Sequence, residues 1–294
     1  MLEQLYSFIE DSETIKEARI NPPIFPLFKE ILVLLFSFIL LIVLWATLTM
    51  VFTNGLSDGT DEYVLVSHFS FFITIILSIL FVAKIEKRNL RSMGFSKDNM
   101  LSSILQGAVI GFFMFVTIIL VGVLLGQYTF AGIDFTTGYL AILYLMSFAV
   151  QSFGEEIYTR GWIMTSVSRR HSVFMAILFS SFLFTVLHLG NRGINIIGMS
   201  NLLLSSITIS VMFLRFDNIW ICGAFHTIWN YTQSYLLGFN VSGTATSSLI
   251  HFNQQNYNLI GGSVFGPESS LITTIITVIV LLALIYYPKK SGNP

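Results

Sequence analysis

Two adjacent carboxylates and a guanidinium occur in a stretch of the chain that is otherwise apolar enough to sit in lipid: Glu155, Glu156 and Arg160. A charged side chain near the middle of a bilayer costs roughly 2.5 to 3.5 kcal/mol even on lenient insertion scales. Ionisable residues in such a segment are therefore functional-site candidates by default. Later apolar segments bring further polar side chains of the kind that titrate or hydrogen-bond: His188, His226 and Asn230.

The spacing of these residues divides their roles. Side chains four apart share one face of a helix, so Glu156 and Arg160 are predicted to form an ion pair that makes the burial of both charges less costly. Glu155 points about 100° away from Glu156 on the helix, and this leaves it free to face a cavity. His226 and Asn230 are also four apart, so both are predicted to project from one helix face.

A carboxylate and a neutral imidazole that converge on a cavity can hold and deprotonate a water molecule. Glu155 is the predicted base, and the activated water would attack a peptide carbonyl. His226 and Asn230 can donate hydrogen bonds to the oxyanion that forms. Glu155 would then return its proton to the leaving amine. The residues therefore predict hydrolysis of a peptide bond within the membrane.

The same residue types also admit a zinc-dependent version of this reaction. Glu and His are zinc ligands, and a catalytic zinc takes three protein ligands and one open position. The sequence contains no His-Glu-x-x-His motif, which is the arrangement that would indicate zinc strongly. No aspartate falls in the three segments that carry the site, which argues against a Ser/His/Asp triad. We therefore favour a mechanism without a cofactor and leave zinc as an open alternative.

The composition indicates which elements position these residues. The chain has 294 residues, of which 54% are hydrophobic and 11% charged, and its mean hydropathy is +0.77. Ordinary soluble domains are about 25% charged, so the composition is typical of a polytopic membrane protein. The net charge of -1 and the lack of basic stretches interleaved with aromatics exclude nucleic acid as a partner. The single cysteine, Cys222, lies in an apolar segment and is predicted to be buried and inert.

Eight apolar runs predict an all-α fold of about eight transmembrane helices with a polar cavity inside the membrane. The fourth run is long for one crossing and the sixth is short. The three polar segments meet only if the fourth helix continues through Trp162 to about Val167. The runs are Ile31 to Phe52, Tyr63 to Ala83, Ile104 to Leu125, Gly138 to Val167, Val173 to Leu189, Asn201 to Leu214, Ile219 to Leu237, and Leu271 to Tyr287.

The predicted organisation is an N-terminal segment over residues 1–30, a transmembrane domain over 31–288, and a C-terminal tail over 289–294. Apolar residues at helical spacing near the start, such as Leu2 and Phe8, predict a short amphipathic helix. Nearly all lysines and arginines fall on one side of this topology, and Arg192 is the exception on the other. The positive-inside rule then predicts cytoplasmic termini in a cell membrane, most simply a bacterial one.

The third apolar run contains two pairs of glycines with four-residue spacing: Gly107 with Gly111, and Gly122 with Gly126. Small residues at this spacing let two helix backbones approach closely. We therefore predict that this run presents a packing face to another helix.

Three motifs together resemble those of one known family. They are Glu155-Glu156-x-x-x-Arg160 followed by Gly161, then Phe184-x-x-x-His188, then His226-x-x-x-Asn230. Their order and approximate spacing resemble the motif set of the CPBP family, also called the Abi or CAAX protease family, of intramembrane endopeptidases. The resemblance covers a core of about residues 138–237.

The resemblance implies an eight-helix fold with an intramembrane cavity. By motif, Glu155 is expected to be the catalytic glutamate, His188 its partner on the water, and His226 with Asn230 the oxyanion donors. Glu156 and Arg160 are expected to support the site. The expected substrate is a membrane-associated peptide or protein, and prenylation of that substrate, metal dependence and oligomeric state are left open.

Two other classes of function remain as alternatives. One is a non-catalytic member of the same fold, which acts as a membrane scaffold or as a bacteriocin-immunity protein. The other is a small-molecule transporter with a buried charged site. Inverted internal repeats would favour a transporter, and the sequence shows none.

Overall fold

The computed structural model describes residues 12–57 and 59–286, and these residues are predominantly helical. This confirms the predicted all-α class. The helices, numbered in chain order, are α1 (Glu13–Ile20), α2 (Leu27–Phe52), α3 (Asp61–Phe69), α4 (Phe72–Leu80), α5 (Met100–Leu124), α6 (Ala141–Glu156), α7 (Thr165–Val167), α8 (Val173–Leu187), α9 (Ile196–Phe216), α10 (Ile219–Tyr231) and α11 (Leu271–Tyr286).

π-helical turns extend three of these helices. Phe81–Ile85 extends α4, Ile157–Met164 joins α6 to α7, and Thr232–Leu236 extends α10. Short 3-10 helices occur at Leu90–Met93, Phe135–Leu140 and Pro267–Ser269.

Several helices have the length and apolar composition of membrane-spanning segments. Five such spans occur in the described part of the chain: Ile31–Phe52, Asp61–Ile85, Met100–Leu124, Phe135–Val167 and Ile196–Phe216. Helices α8 and α11 are apolar but shorter. Large apolar side chains cover the outer surface of the spans, and Leu124 and Ile142, for example, are 85% and 70% exposed. Apolar surface of this kind is suited to lipid, so the protein is an integral membrane protein.

The fourth span runs continuously to Val167, as the prediction required. The prediction that the sixth apolar run is short was wrong, because α9 has 21 residues. Its N-terminus is capped by Asn195, whose side chain accepts the N–H of Gly198 at 2.8 Å. Polar residues in its first half, such as Asn201 and Ser206, are buried against the rest of the protein. The predicted run began at Asn201, whereas the capped helix begins at Ile196, so hydropathy alone gave too late a start for this helix.

A two-stranded antiparallel sheet was not predicted. Strand β1 (Tyr128–Ile133) precedes α6, and β2 (Ile250–Gln254) lies in the polar segment between α10 and α11. The register shifts between Phe130 and Gly132 at a bulge. The Tyr128 hydroxyl also donates to the Gly261 carbonyl at 2.6 Å, so the sheet ties this polar segment to the start of the Glu155 helix.

Two of the predictions for the chain termini concern residues outside those that the structure describes. The predicted amphipathic helix near Leu2 and Phe8 lies outside the described residues, as does the predicted tail over 289–294. The first described helix is α1, which docks through Arg19, whose Nε donates to the Ser168 carbonyl at 3.0 Å. The domain boundaries and the cytoplasmic placement of the termini stay predictions.

The glycine face of α5 packs against α10, which carries His226. A Cβ at Gly107 would lie 2.3 Å from the Ile221 carbonyl oxygen, and one at Gly111 would lie 2.5 Å from that of Phe225. This confirms the packing face for the first glycine pair. In the second pair, Gly122 packs against the Tyr128 ring, whereas Gly126 has φ +68° and no neighbour within 4 Å of its Cβ position. Gly126 is therefore a turn residue, and its predicted packing role was wrong.

We expect Gly111→Ala to lower the free energy of unfolding by about 1–3 kcal/mol, because the added methyl group must displace the backbone of α10. Thermal unfolding of the purified protein in detergent measures this change. Gly138→Ala is the matched control, since a Cβ there meets nothing within 4 Å. Equal melting temperatures for both variants would contradict the close approach of α5 and α10.

Candidate active site

The residues of the predicted site come from four helices that pack around one buried polar region. Helix α6 ends at Glu156, directly after Glu155, and the chain then continues as the π-helix Ile157–Met164. π-helical turns are rare and occur often at functional sites. Glu155, Glu156 and Arg160 are all buried, with exposed fractions of 9%, 0% and 0%.

The predicted ion pair between Glu156 and Arg160 is present in the structure. Arg160 Nη1 lies 3.0 Å from Glu156 Oε2 and donates to Oε1 at 3.1 Å. The same carboxylate accepts from His226, whose Nδ1 lies 2.8 Å from Glu156 Oε1. Glu156 therefore links α6 to α10 and neutralises the buried guanidinium.

Arg160 is satisfied by hydrogen bonds on several sides. Its Nη2 donates to the carbonyl and the hydroxyl of Ser206 at 2.9 and 2.6 Å, and its Nε donates to Ser210 Oγ at 3.4 Å. Nη1 also donates to Thr159 Oγ1 at 2.8 Å. The guanidinium carbon lies 5.1 Å from the centre of the Phe184 ring, within range of a cation–π interaction. Arg160 thus connects the helix that carries the two glutamates to α9 by hydrogen bonds and to α8 by the contact with Phe184.

Glu155 is held on one side and unpaired on the other. Its Oε1 accepts the Gln151 Nε2 hydrogen bond at 2.5 Å. Its Oε2 is buried and has no hydrogen-bond partner among residues 12–57 and 59–286. The imidazole of His226 faces this oxygen, and its Nε2 lies 3.8 Å from Oε2. A buried polar atom without a partner is a place where an ordered water is expected.

The orientation of His226 follows from its contact with Glu156. A carboxylate is an acceptor, so Nδ1 must carry the proton that it donates to Glu156. In the neutral ring, Nε2 is then an acceptor on the side that faces Glu155. The separation of 3.8 Å between Nε2 and Glu155 Oε2 is too long for a direct hydrogen bond and short enough for one water to contact both atoms.

Asn230 joins the site through Gln151. Its Nδ2 donates to Gln151 Oε1 at 3.1 Å and lies 3.5 Å from Ser152 Oγ. The amide carries two N–H groups. One donates to Gln151, and the other makes only the long hydrogen bond to Ser152 Oγ at 3.5 Å, which a better-placed acceptor on a ligand would replace. A chain of close polar contacts therefore runs from Asn230 through Gln151, Glu155 and His226 to Glu156.

His188 lies beside the Phe184 ring, which also contacts His226. It follows the last residue of α8, and its Nδ1 lies 2.8 Å from the Phe184 carbonyl oxygen. Because a carbonyl only accepts, Nδ1 is the protonated nitrogen and Nε2 is the acceptor. The Phe184 ring centre lies 4.6 Å from that of His188 and 6.3 Å from that of His226. The structure thus places His226 next to Glu155, and both His188 and His226 in contact with the Phe184 ring.

A cavity of about 50 Å³ lies on the other side of His226 and Asn230. That volume exceeds what a single ordered water needs. The walls come from α5, α8, α9, α10 and α11, and one further carboxylate, Glu268, lines the cavity from the 3-10 helix before α11. The lining of this cavity is mainly apolar and does not include Glu155, so the polar cavity that Glu155 was predicted to face stays a prediction.

Sequence reasoning missed several residues of this region. Ser206 and Ser210 were not singled out, although their four-residue spacing in an apolar helix places them on one face. Glu268 was missed because it lies in the polar segment after α10, where a carboxylate carries no burial signal. The π-helix after Glu156 has no sequence signature that we recognise.

Within the described ranges, no group of three His, Cys, Asp or Glu side chains is close enough together to hold a metal ion. A catalytic zinc takes three protein ligands, and Glu156 is already engaged by Arg160 and His226. Cys222 is buried, as predicted, and lies 3.7 Å from the Ile209 carbonyl oxygen.

The fold is that of an all-α integral membrane protein with a buried polar centre. Residues 136–232 match the model of one protein family, described as "Rce1-like: Type II CAAX prenyl endopeptidase Rce1-like". This match confirms the family resemblance inferred from the three motifs. The matched segment spans Glu155, Arg160, His188, His226 and Asn230. No curated protein matches the chain.

The two neighbouring glutamates are expected to differ in their effect on stability. Glu156→Gln leaves the buried Arg160 charge uncompensated, so we expect a loss of about 3–5 kcal/mol in the free energy of unfolding. Glu155→Gln keeps the contact with Gln151 and removes no ion pair with arginine, so we expect a change within about 1 kcal/mol. Thermal unfolding of both variants in detergent tests this contrast. Similar losses in the two variants would contradict the division of roles between Glu155 and Glu156.

Proposed function

We propose that this protein is an intramembrane endopeptidase that hydrolyses a peptide bond of a membrane-associated peptide or protein. One observation carries this proposal. The buried Glu155 Oε2, without a hydrogen-bond partner in the described part of the chain, lies 3.8 Å from the acceptor nitrogen of His226. A water bound between them would be positioned for deprotonation by Glu155.

The proposed reaction is attack of this water on the scissile carbonyl. Glu155 accepts the water proton while the oxygen forms a bond to the carbonyl carbon. The Asn230 N–H that contacts Ser152 Oγ at 3.5 Å donates to the oxyanion instead. His226 takes up a proton from solvent at Nε2 as the oxyanion forms, donates this N–H to it, and releases the proton to solvent when the intermediate collapses. Glu156 stabilises the imidazolium because it accepts from His226 Nδ1. The C–N bond then breaks, and Glu155 returns its proton to the leaving amine.

His188 is proposed as the second imidazole of the site. The motif assigns it as the partner of Glu155 on the water, and its neutral Nε2 is suited to accept a hydrogen bond from that water. No hydrogen bond joins His188 to Glu155 or His226 in the described part of the chain, so a water or the substrate itself would bridge His188 to the reacting centre. Gln151 is proposed as a positioning residue, because it contacts both Glu155 and Asn230.

The proposed setting is a cell membrane with cytoplasmic termini, and the proposed mechanism uses no metal. Two features support the metal-free reading: the absence of a three-ligand group in the described residues and the engagement of Glu156 by a cation. A zinc-dependent version and a non-catalytic scaffold remain the outcomes against which the proposal is tested.

We expect Glu155→Gln to accumulate normally and to lose about 10²–10⁴-fold or more in peptide cleavage, because the amide keeps the shape of the side chain but cannot act as a base. Membrane peptides from cells that express the wild type or the variant can be compared by mass spectrometry. Glu62→Gln, which neutralises an exposed carboxylate at the start of α3, is the control and should cleave normally.

Unchanged cleavage by Glu155→Gln would overturn the proposed mechanism. A cellular effect that persists in Glu155→Gln but disappears when the whole protein is deleted would instead indicate a non-catalytic scaffold.

We expect activity of the purified protein to survive prolonged treatment with a strong chelator, because the polar centre lacks a third ligand for a metal ion. Cleavage of the peptides identified in the preceding comparison provides the measurement. Activity that is lost on chelation and restored by zinc would show that the metal-free mechanism is wrong.

A further inference from the structure

A third carboxylate, which the proposed mechanism does not use, lies at the cavity beside His226 and Asn230. Glu268 belongs to the 3-10 helix Pro267–Ser269, and its side chain lines the cavity together with these two residues. It reaches the site from the polar segment between α10 and α11, 113 residues after Glu155 in the chain. The motif set does not include it.

The Glu268 side chain is held in place by the protein. Its Oε2 accepts the main-chain N–H of Ser242 at 2.8 Å, and Ser242 Oγ lies 3.5 Å from the same oxygen. The backbone at this position is also fixed, because Asn201 Nδ2 donates to the Glu268 carbonyl at 2.7 Å. A carboxylate can accept about four hydrogen bonds, so Glu268 retains acceptor capacity for a ligand in the cavity.

Glu268 has no lysine or arginine to pair with among the residues that line the cavity. The guanidinium of Arg160 is already bound by Glu156 and by serines of α9. Burial raises the pKa of the Glu268 carboxyl, and the hydrogen bonds with Ser242 and Gln233 and the charges of His188 and His226 offset this rise only in part, so a neighbouring cation would favour its ionised form. A cationic ligand would supply the missing counter-charge.

The remaining walls of the cavity are mainly apolar. They include Leu202, Ile209, Phe225 and Trp229, which surround the space between Glu268 and His226. An apolar wall with one fixed carboxylate matches a side chain that has an aliphatic stem and a cationic tip, which is the structure of lysine and arginine. A carboxylate ligand in the same space would meet Glu268 as a like charge, which is unfavourable.

We propose that this cavity is a specificity subsite in which Glu268 binds a basic side chain of the substrate and disfavours a substrate carboxylate. This inference rests on the proposed endopeptidase function and deepens it, because it names the chemical class of substrate residue that lies next to the site of cleavage. Glu268 is a specificity-determining residue here and takes no part in the proton transfers.

Binding of small probes tests the subsite without any need for cleavage. Hexylamine, hexanol and hexanoate share one alkyl chain and differ in charge, and each can be added to the full-length protein in lipid nanodiscs. Of the three probes, we expect only hexylamine to raise the melting temperature of the protein. We expect the Glu268→Gln variant to bind hexylamine about 30-fold more weakly than the wild type, because the substitution removes one partner of a buried charge pair. Glu268→Asp keeps the charge and should retain part of the effect.

The control for this binding experiment is Glu62→Gln, which removes an exposed carboxylate outside the cavity and should respond to hexylamine as the wild type does. Equal stabilisation by all three probes, or an unchanged response in Glu268→Gln, would overturn the subsite. The melting temperature of each variant without probe shows whether the fold is retained.

Cleavage specificity separates this inference from the proposed function. With peptides that differ only by Lys, Leu or Glu at one position near the scissile bond, we expect the wild type to prefer Lys and Glu268→Gln to lose that preference while it still cleaves the Leu peptide. Cleavage without a preference for Lys would refute the subsite alone. Failure of the wild type to cleave any peptide, together with an amine-specific response in nanodiscs, would refute the peptidase but leave a cation site.

Discussion

The buried pair of Glu156 and Arg160 is the constraint on which the rest of the polar centre depends. Both side chains are fully buried, and removal of either partner would leave a charge without compensation in a low-dielectric region. The remaining hydrogen-bonding groups of the pair are used to hold neighbouring helices. Arg160 binds the serines of α9, and Glu156 binds His226 of α10. The orientation of the His226 ring, and therefore the position of its Nε2 against Glu155, follows from this pair.

The parts of the fold that could be predicted from sequence are those with a strong local signal. Long apolar runs predicted the membrane helices, and a four-residue spacing predicted both the ion pair and the shared face of His226 and Asn230. The glycines at 107 and 111 predicted a close helix contact for the same reason. In each case the residues are about one helical turn apart, so their spacing in the sequence is enough to place them on the same face of the helix.

The parts that could not be predicted depend on contacts between segments far apart in the chain. Hydropathy began the sixth run only at Asn201, but this polar residue lies within α9, where its amide donates to the carbonyls of Glu268 and Ser270 from a distant part of the chain. The pairing of β1 with β2, and the arrival of Glu268 at the cavity, arise from a polar segment whose composition resembles an ordinary loop. The position of His188 relative to Glu155 and His226 likewise depends on how α8 packs, which the Phe184-x-x-x-His188 motif does not specify.

The π-helical stretch after Glu156 has a consequence for how related chains should be aligned. A π-turn accommodates one residue more than an α-turn, so deletion of a single residue within Ile157–Met164 could be absorbed by a return to α-helical hydrogen bonding. The side chains beyond the deletion would then keep nearly the same direction relative to Glu155, because the π-turn and the α-turn that replaces it each complete about one rotation of the helix. A one-residue gap inside Ile157–Met164 therefore joins two chains whose flanking helices keep the same register, whereas a gap elsewhere in α6 rotates the following side chains by about 100°.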